Sequence, residues 1–209
     1  MNGSTARWLP LTGILFVALV VAGILTGGET PSVSDSPEKI AAYYTDNKDR
    51  LRIGLQLFVL GTVAAVFFGS YMRSVLDRGD GENGLLSRAA FAGIVIFAVG
   101  GAIDATLLLA MTEIVDDVDA TQIQTLQGVW DNDFIPFAVG FSLFNLASGL
   151  SIVLHRSLPV WLGWLAIVIG IVALTPVGFF AFPGTGLWIL IVCVVLLISE
   201  RRVAAPVVE

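Results

Sequence analysis

The sequence has very few of the side chains that most catalytic and cofactor sites use. Its 209 residues include one cysteine, Cys193, one histidine, His155, and two lysines, Lys39 and Lys48. A single cysteine excludes an intrachain disulfide and a cysteine-ligated metal cluster. A single histidine excludes a haem with two axial histidines. Because both lysines lie in a polar stretch, a retinal Schiff base inside an apolar segment is excluded as well.

Sequence motifs for hydrolysis and nucleotide binding are also missing. No HExxH motif, G-x-S-x-G motif or Walker A motif occurs in the chain. No basic run is present that would indicate nucleic-acid binding. We therefore expect a protein that is not an enzyme, holds no cofactor or metal, and has no nucleic-acid partner.

Charge is scarce in this chain, and apolar sequence is abundant. Only 13% of the residues are charged and 56% are hydrophobic, whereas soluble domains are about 25% charged. A globular core cannot bury this much apolar sequence, but a lipid bilayer can. Since backbone polar groups in lipid must be satisfied within each segment, the prediction is an all-α, polytopic membrane protein.

Six apolar segments predict the architecture. Five of them reach the roughly 20 residues that a helix needs to cross the bilayer, and the sixth is shorter unless it begins further back, near Phe180. We expect a bundle of six transmembrane helices that forms one domain over residues 1–209. The segments are Trp8–Thr26, Ile53–Val75, Ala89–Thr112, Phe134–Leu154, Leu158–Phe182 and Gly186–Ser199.

Two stretches between these segments predict short amphipathic helices at the outer membrane surface. Pro37–Asn47 follows Ser36, which is suited to cap a helix that starts with proline. Ala120–Trp130 follows Asp119, and Gln122 stands three residues on, as in a capping box. Each stretch carries apolar side chains on one face, as surface-bound helices do.

An offset of 85 residues relates two parts of the chain. Asp46-Asn47 aligns with Asp131-Asn132, and each pair follows a predicted outer helix and precedes a span. This pattern is consistent with a duplicated hairpin, residues 8–75 and 89–154, followed by a terminal hairpin, residues 158–199. Similar topology alone can also produce such a match, so both interpretations stay open.

The basic residues predict the orientation in the membrane. Positive residues favour the cytoplasmic side, which here would hold both termini. The cluster Lys48–Arg52, on the other side, opposes this assignment. The side with the termini carries Arg7, Arg73, Arg78, Arg88, Arg156, Arg201 and Arg202, and the opposite side carries Lys39, Lys48, Arg50 and Arg52.

Asp104 is the only acidic side chain inside the six apolar segments. A carboxylate at that depth costs roughly 2.5–3.5 kcal/mol, so it needs a partner, a proton or a function. Gly93, Phe97, Gly100 and Gly101 share its helix face. Small residues let a neighbouring helix approach closely, so we expect Asp104 to face the interior of the bundle.

Depth estimates select the expected partners of Asp104. At 1.5 Å per residue, Ser142 and Asn145 of the fourth span and Thr62 of the second span lie at a similar depth. We therefore predict a polar centre of these four residues, with Asp104 hydrogen-bonded to Ser142 or Asn145. Such a centre could bind a substrate or a proton, or it could only fix the register of the helices.

Small residues at helical spacing predict close helix packing. They occur at intervals of four in the second span and cluster around Asp104 in the third. Helices in lipid associate through such positions because small side chains let backbones approach. The predicted packing residues are Gly61, Ala65, Gly69, Gly93, Gly100 and Gly101.

The first third of the chain resembles a known kind of protein. The resemblance is carried by Ser36–Tyr44, by the following Asp49–Arg52 and by the apolar span to Tyr71. These stretches are similar to uncharacterised bacterial multi-span membrane proteins, which are grouped as domains of unknown function. The resemblance implies a small protein of the bacterial plasma membrane and transfers no active site.

Three functions remain after these exclusions. The leading expectation is a structural or accessory protein that acts in the bilayer through a membrane-protein partner or a second copy of itself. The alternative is a small transporter or proton-coupled carrier centred on Asp104, and a third is a protein that binds or modifies lipids through its outer helices. A cavity that reaches Asp104 would favour transport, whereas dry packing around it would favour a structural role.

Overall fold

The computed structural model describes residues 8–79 and 84–204, where all regular elements are helices and none is a strand, which confirms the predicted all-α class. Arg7, residues 80–83 and residues 205–209 lie outside the described part, as do the side chains of Arg201 and Arg202. The described helices are α1 (Pro10–Gly27), α2 (Pro37–Asp77), α3 (Leu85–Ile114), α4 (Ala120–Trp130), α5 (Ile135–His155), α6 (Val160–Val172) and α7 (Ala181–Ala204), with a 3-10 turn at Gly178–Phe180.

Five stretches of the described residues are long and apolar enough to cross a membrane. α6 is apolar too, but its 13 residues cover only about 20 Å of a hydrocarbon core of about 30 Å. Their length and apolar composition indicate a membrane protein. The five stretches are Pro10–Gly27, Pro37–Asp77, Leu85–Ile114, Ala120–His155 and Gly178–Ser199.

The predicted fifth span, Leu158–Phe182, is not one continuous helix. α6 ends at Val172, a few residues before Pro176, because proline disfavours helical geometry at the residue before it. After the 3-10 turn, α7 begins at Ala181, which agrees with the earlier of the two starts considered for the sixth segment. The last two segments thus form a hairpin with one short arm.

The two predicted outer helices have different outcomes. Ala120–Trp130 is a separate helix, and Asp119 and Gln122 form the predicted capping box. Pro37–Asn47 is helical and is capped by Ser36, but it continues without a break into the second span. Its 41-residue helix is about 60 Å long, so α2 projects out of the bilayer and does not lie flat on its surface.

The projecting end of α2 belongs to a small extramembrane unit that we call the cap, residues 28–52 and 111–133. Ion pairs join α2 to the end of α3: Lys48 Nζ lies 2.5 Å from Asp116, and Arg52 binds Glu113 at 2.8 Å. The hydrogen bond from Lys48 lowers the pKa of Asp116 below its usual value. The core of the cap consists of Ile40, Tyr44, Leu51, Met111, Val115 and Ile123.

Glutamine side chains of α4 attach the first loop to the cap. Tyr44 donates a 2.5 Å hydrogen bond to Gln127 Oε1, and the amide of Gln127 donates to the carbonyl of Pro31 at 3.1 Å. Gln124 donates to the carbonyl of Val33 at 3.0 Å. The loop that follows α1 is therefore held in place by α4, which lies opposite it.

The predicted small residues do lie at close helix contacts, but with different partners. A Cβ atom on Gly61 would lie 2.9 Å from Val20 of α1, and one on Gly69 would lie 2.9 Å from Ile94 of α3. Ala65, between them, is fully buried. On α3, Gly93 faces the backbone of α5 at Phe144 and Gly140, Gly100 faces Pro136, and Gly101 faces Phe58 and Thr62.

Three glycine pairs that the sequence analysis did not single out let helix backbones touch. A Cβ on Gly23 would lie 2.7 Å from the carbonyl oxygen of Gly54, where α1 crosses α2. A Cβ on Gly149 would lie 2.6 Å from the carbonyl oxygen of Gly163, where α5 crosses α6, and the third pair is Gly93 with Gly140. These contacts fix the crossings of neighbouring helices, since any larger side chain would separate them.

Candidate functional site

A cavity of about 870 Å³ lies within the bundle, next to the cap. It is bounded by α1, α2, α3, α5 and α7, and its volume falls in the range of roughly 300–1,000 Å³ that is typical of small-molecule sites. Most of its lining is aliphatic or aromatic. Asp104 is the only ionisable residue among the described residues that line it.

Phenylalanine side chains form one wall of the cavity. Phe97 of α3 is central to this wall: its ring is stacked on Phe141 at 4.6 Å and lies 5.5 Å from Phe16 of α1. Phe182 of α7 meets Phe141 edge-on at 5.0 Å and Phe137 at 5.7 Å. Four helices therefore contribute to one aromatic surface, which offers dispersion contacts but no polar group.

Exposed side chains of α1 and α7 border the cavity on one side. Several lining residues there are exposed and apolar, among them Ile24 on α1, Leu187 on α7 and Phe179, which is 78% exposed. Nearer the termini the two helices touch, since Gly13 packs against the buried Cys193. Apolar side chains exposed on transmembrane helices face lipid, so the cavity opens sideways towards the bilayer.

The polar end of the cavity lies under the cap. Asp104 points into it and experiences the charge of Asp133, which stands in the turn before α5. The indole of Trp130, the last residue of α4, lies beside Asp104. Nevertheless Trp130 Nε1 and Asp133 Oδ2 are buried atoms without a hydrogen-bond partner. The Asp133 carboxylate and the indole N–H thus leave hydrogen-bonding capacity unused.

The predicted contact between Asp104 and Ser142 or Asn145 is wrong. Ser142 donates to the carbonyl of Gly170 at 2.7 Å. Asn145 donates to the carbonyl of Phe141 at 2.8 Å and to Thr185 Oγ1 at 2.9 Å. Both residues face α6 and α7, and the structure does not bring them to Asp104.

Helix register explains this error. Gly100 of α3 lies beside Pro136 of α5, and Gly93 lies beside Phe144, so Asp104 is level with Asp133. Ser142 and Asn145 lie roughly 13–18 Å deeper at 1.5 Å per residue. The depth estimate assumed that the centres of the third and fourth spans lie at the same depth in the bilayer. In fact α3 extends beyond the start of α5 by several turns.

Two other expectations for this region concern the placement of Asp104 and of Thr62. Asp104 faces the interior of the bundle, as its glycine-rich face predicts. Thr62 lies beside Gly101, about one turn deeper than Asp104, where it donates to the carbonyl of Phe58 at 2.8 Å. Phe58 lines the cavity, but Thr62 does not, so Thr62 supports the wall without reaching the space.

Asn145 belongs to a second polar region, which is dry. It is fully buried with Ser148 and Thr185, between α5 and α7. Asn145 Oδ1 and Ser148 Oγ have no hydrogen-bond partner. Within the described part of the chain, no group of three or more His, Cys, Asp or Glu residues could hold a metal ion, here or at the cavity.

The aromatic wall was missed because its residues come from different helices. Phe137 and Phe141 are one turn apart on α5, a spacing that indicates a shared face. Phe97 lies on the same face of α3 as Asp104, so the sequence does place one aromatic side chain near this carboxylate. Nothing in the sequence pairs these faces with Phe16 or Phe182, since only the packing of α1 and α7 does so.

Comparisons with known proteins identify a family and no function. The chain has no match among curated proteins and none among solved structures. A match to one family covers residues 11–204, which extends the resemblance from the first third to nearly the whole chain. On this evidence the chain belongs to the family described as domain of unknown function DUF4386.

Proposed function

We propose that this membrane protein is a non-enzymatic binding protein that takes a hydrophobic ligand from the bilayer into the cavity. The observation that carries the proposal is a large cavity with a phenylalanine wall, bordered by exposed apolar residues of α1 and α7. A ligand with a hydrocarbon chain could enter from lipid without crossing water. Apolar burial is favourable by about 25 cal/mol per Å² relative to water, but within lipid the gain comes from packing against the wall.

A purely structural role is less well supported. That role requires a dry and tightly packed Asp104, whereas Asp104 borders the cavity together with Leu108 and Phe97. An accessory role is compatible with binding, because a bound ligand can be presented to a second membrane protein or to another copy of this chain. The bilayer itself is the first partner under this proposal.

A proton-coupled carrier centred on Asp104 is the second candidate, and the position of Asp104 in a cavity favours it. A carrier also needs a route from the cavity to the side of the membrane that holds the termini. Phe68, Phe144 and Trp188 are fully buried in the bundle below the cavity, and their rings pack at 6.4 Å and 5.7 Å. Binding without transport is therefore the better-supported function.

We also propose that the protein lies in a bacterial plasma membrane with both termini in the cytoplasm. The count of basic residues supports this orientation, since seven lie on the side of the termini and four on the opposite side.

The cavity proposal is tested by filling the cavity from α7. Gly186 lines it, and a Cβ there would meet only Val17 within 4 Å, at 3.8 Å. Gly186→Leu should fill space in the cavity, while Gly186→Ala at the same position should leave most of it open. Native mass spectrometry of the full chain, released from detergent with added dodecanol, should show a retained alcohol.

We expect the Gly186→Leu variant to lose at least about five-fold of the dodecanol occupancy and Gly186→Ala to stay close to wild type, since a filled apolar site loses its packing partners. Both variants should remain folded, because glycine is the less favourable residue in a helix. Equal occupancy in the wild type and Gly186→Leu, or no occupancy in the wild type, would refute the proposal.

Orientation is tested separately with single cysteines in a Cys193→Ala background. One cysteine replaces Ser34, which is exposed in the cap, and the other replaces Asn83, which lies in the sequence between α2 and α3, outside the described residues. An impermeant thiol reagent added to intact cells should label position 34 and spare position 83. The reverse pattern would place the termini outside.

A further inference from the structure

Asp104 lines the polar end of the cavity, and Asp133 stands level with it in the turn before α5. We propose that the ligand carries a primary ammonium group, which binds between Asp104 and Asp133 while its hydrocarbon chain lies along the phenylalanine wall. This inference rests on the proposed binding function and names the chemical class of its ligand. The class is a long-chain amine, either free or as the head group of a membrane lipid such as phosphatidylethanolamine.

The two carboxylates lack a cation of their own. Asp133 Oδ2 is buried without a hydrogen-bond partner, and Asp104 has Asp133 and Trp130 as its neighbours. Buried carboxylates are costly unless a counter-charge or hydrogen bonds compensate them. Two of them close together add mutual repulsion, which increases as the surroundings become less polar. A cation between them would relieve both costs.

The basic residues of the cap are engaged elsewhere. Lys39, Lys48 and Arg52 pair with acids on the exposed surface of the cap. Arg50 donates to the carbonyl of Gly27 at 2.9 Å and lies against Gly28 at the edge of the cavity. The described part of the chain therefore supplies no lysine or arginine to Asp104, so the matching charge has to come with the ligand.

The chemistry of an ammonium group fits this end of the cavity. It has three N–H donors and no acceptor, so it can serve both carboxylates at once. The Trp130 indole beside Asp104 adds an aromatic face, which attracts a cation. Asp104 and the phenylalanine wall belong to one cavity, which is the arrangement that an amphiphile needs.

Arg50 provides a way to distinguish a free alkylamine from the head group of a membrane lipid. Its guanidinium lies at the edge of the cavity, where a phosphate attached to the ammonium would be within its reach. A head group with both charges would use Asp104 and Arg50, whereas a simple alkylamine would use only the carboxylates. Guanidinium groups favour phosphate through paired hydrogen bonds.

The experiment compares ligands with one chain and different head groups on the wild-type protein. Dodecylamine and dodecanol have equal chains, and the amine is protonated at pH 7 because its pKa is near that of lysine, about 10.4. Competition at equal concentrations, read by native mass spectrometry, should favour the amine by about ten-fold or more, as expected for a new close charge pair.

Variants then assign the preference to the carboxylates. Asp104→Asn and Asp133→Asn keep the shape of the side chains and remove the charges, so each should reduce the amine preference and the double variant should abolish it. The ratio of dodecylamine to dodecanol occupancy, measured within each variant, reports the preference independently of the total occupancy. Persistence of the full preference in the double variant would overturn the ammonium site.

The head-group series also separates the two proposals and the two sources. If dodecanol and dodecylamine bind equally to the wild type, the ammonium inference is wrong and the binding function stands. If neither binds, the binding function is wrong. Matched-chain phosphatidylethanolamine that displaces dodecylamine in the wild type but not in Arg50→Gln identifies the lipid as the source, and failure to displace it identifies the free amine.

Discussion

The bundle has a packed half and a cavity half, and their polar residues behave differently. In the packed half, formed by α3, α5, α6 and the lower part of α7, glycine contacts bring backbones together and Asn145 donates to Thr185. In the cavity half, α1 and the upper part of α7 line the cavity, and Asp104 faces open space. A polar residue in an apolar span can thus hold helices together or line a cavity, depending on the residues that pack around it.

The largest effect is expected where a side chain is added to the packed half. A Cβ on Gly93 would collide with the backbone of Phe144, so Gly93→Ala has to push α3 and α5 apart. We expect a loss of about 1–3 kcal/mol in unfolding free energy, as overpacked sites show. Thermal unfolding in detergent, followed by tryptophan fluorescence, measures it.

Gly184→Ala on α7 is the matched control for Gly93→Ala. Its added Cβ would meet Ile169 at 3.7 Å, an ordinary contact distance. This variant should be neutral or slightly more stable, because alanine favours helices more than glycine does. Equal losses for the two variants would mean that the α3–α5 contact is not specially close.

The next effect compares the two polar residues directly. Asn145→Leu leaves Thr185 Oγ1 without its donor in a dry region and should cost about 1–3 kcal/mol. Asp104→Leu removes a carboxylate that repels Asp133. Unlike Asn145→Leu, it does not break a hydrogen bond to a neighbouring helix, so the unfolding free energy of this variant should match or exceed that of the wild type. Denaturation of both variants in the same detergent gives the comparison, and a greater loss for Asp104→Leu would reverse it.

A smaller effect is expected in the cap. Tyr44→Phe removes the 2.5 Å hydrogen bond to Gln127 and should cost about 1 kcal/mol, the usual net value for one hydrogen bond. Because Gln127 also binds the carbonyl of Pro31, the loss should appear as faster hydrogen exchange in α4 and the first loop. Tyr43→Phe is the control, since its hydroxyl binds Gly27 on the other side of α2. Unchanged exchange in α4 would contradict the role given to Tyr44.

The smallest effect is expected in the cap when the pH is lowered. The hydrogen bond from Lys48 lowers the pKa of Asp116, and that from Lys39 lowers the pKa of Asp35. The stabilisation from each pair is complete above the ordinary value of 3.8 and is lost as the pH falls below it, through the lowered pKa of the folded state. Hydrogen exchange at the start of α2 should therefore quicken below pH 4, by less than in Tyr44→Phe because both carboxylates are exposed.

Asp116→Asn provides the check on that assignment. It removes the titrating group of the Lys48 pair, so the pH dependence of exchange near Lys48 should become shallower while that near Lys39 persists. An unaltered profile near Lys48 would show that another acid carries the effect. The cavity half should keep its exchange pattern over the same pH range if the cap pairs act only locally.

The proposed duplication gains one observation and stays a prediction. Asn47 donates to the carbonyl of Tyr43, and Asn132 donates to the carbonyl of Gly128, each four residues back and 85 residues apart. The surroundings differ, because α2 continues past Asn47 while α4 ends before Asn132. Local side-chain geometry of this kind follows from helix spacing alone, so it does not decide the question.

The sequence by itself determined the elements that depend on local rules. Apolar length selected the spans, caps selected the start of α2 at Pro37 and of α4 at Ala120, and a lone acid in an apolar run singled out Asp104. These features follow from hydropathy, from hydrogen-bond satisfaction at helix ends and from the cost of a buried charge, all of which act within one segment.

Tertiary structure decided which segments meet and at what height. The register of α3 against α5 places Asp104 level with Asp133 and places Asn145 where it donates a hydrogen bond to Thr185. The packing of α1 and α7 around the cavity is decided by tertiary structure as well. Equal apolar lengths do not fix the relative height of two helices, because lipid solvates any apolar register almost equally well. Glycine contacts between backbones choose one register, and they become visible only when the helices are packed.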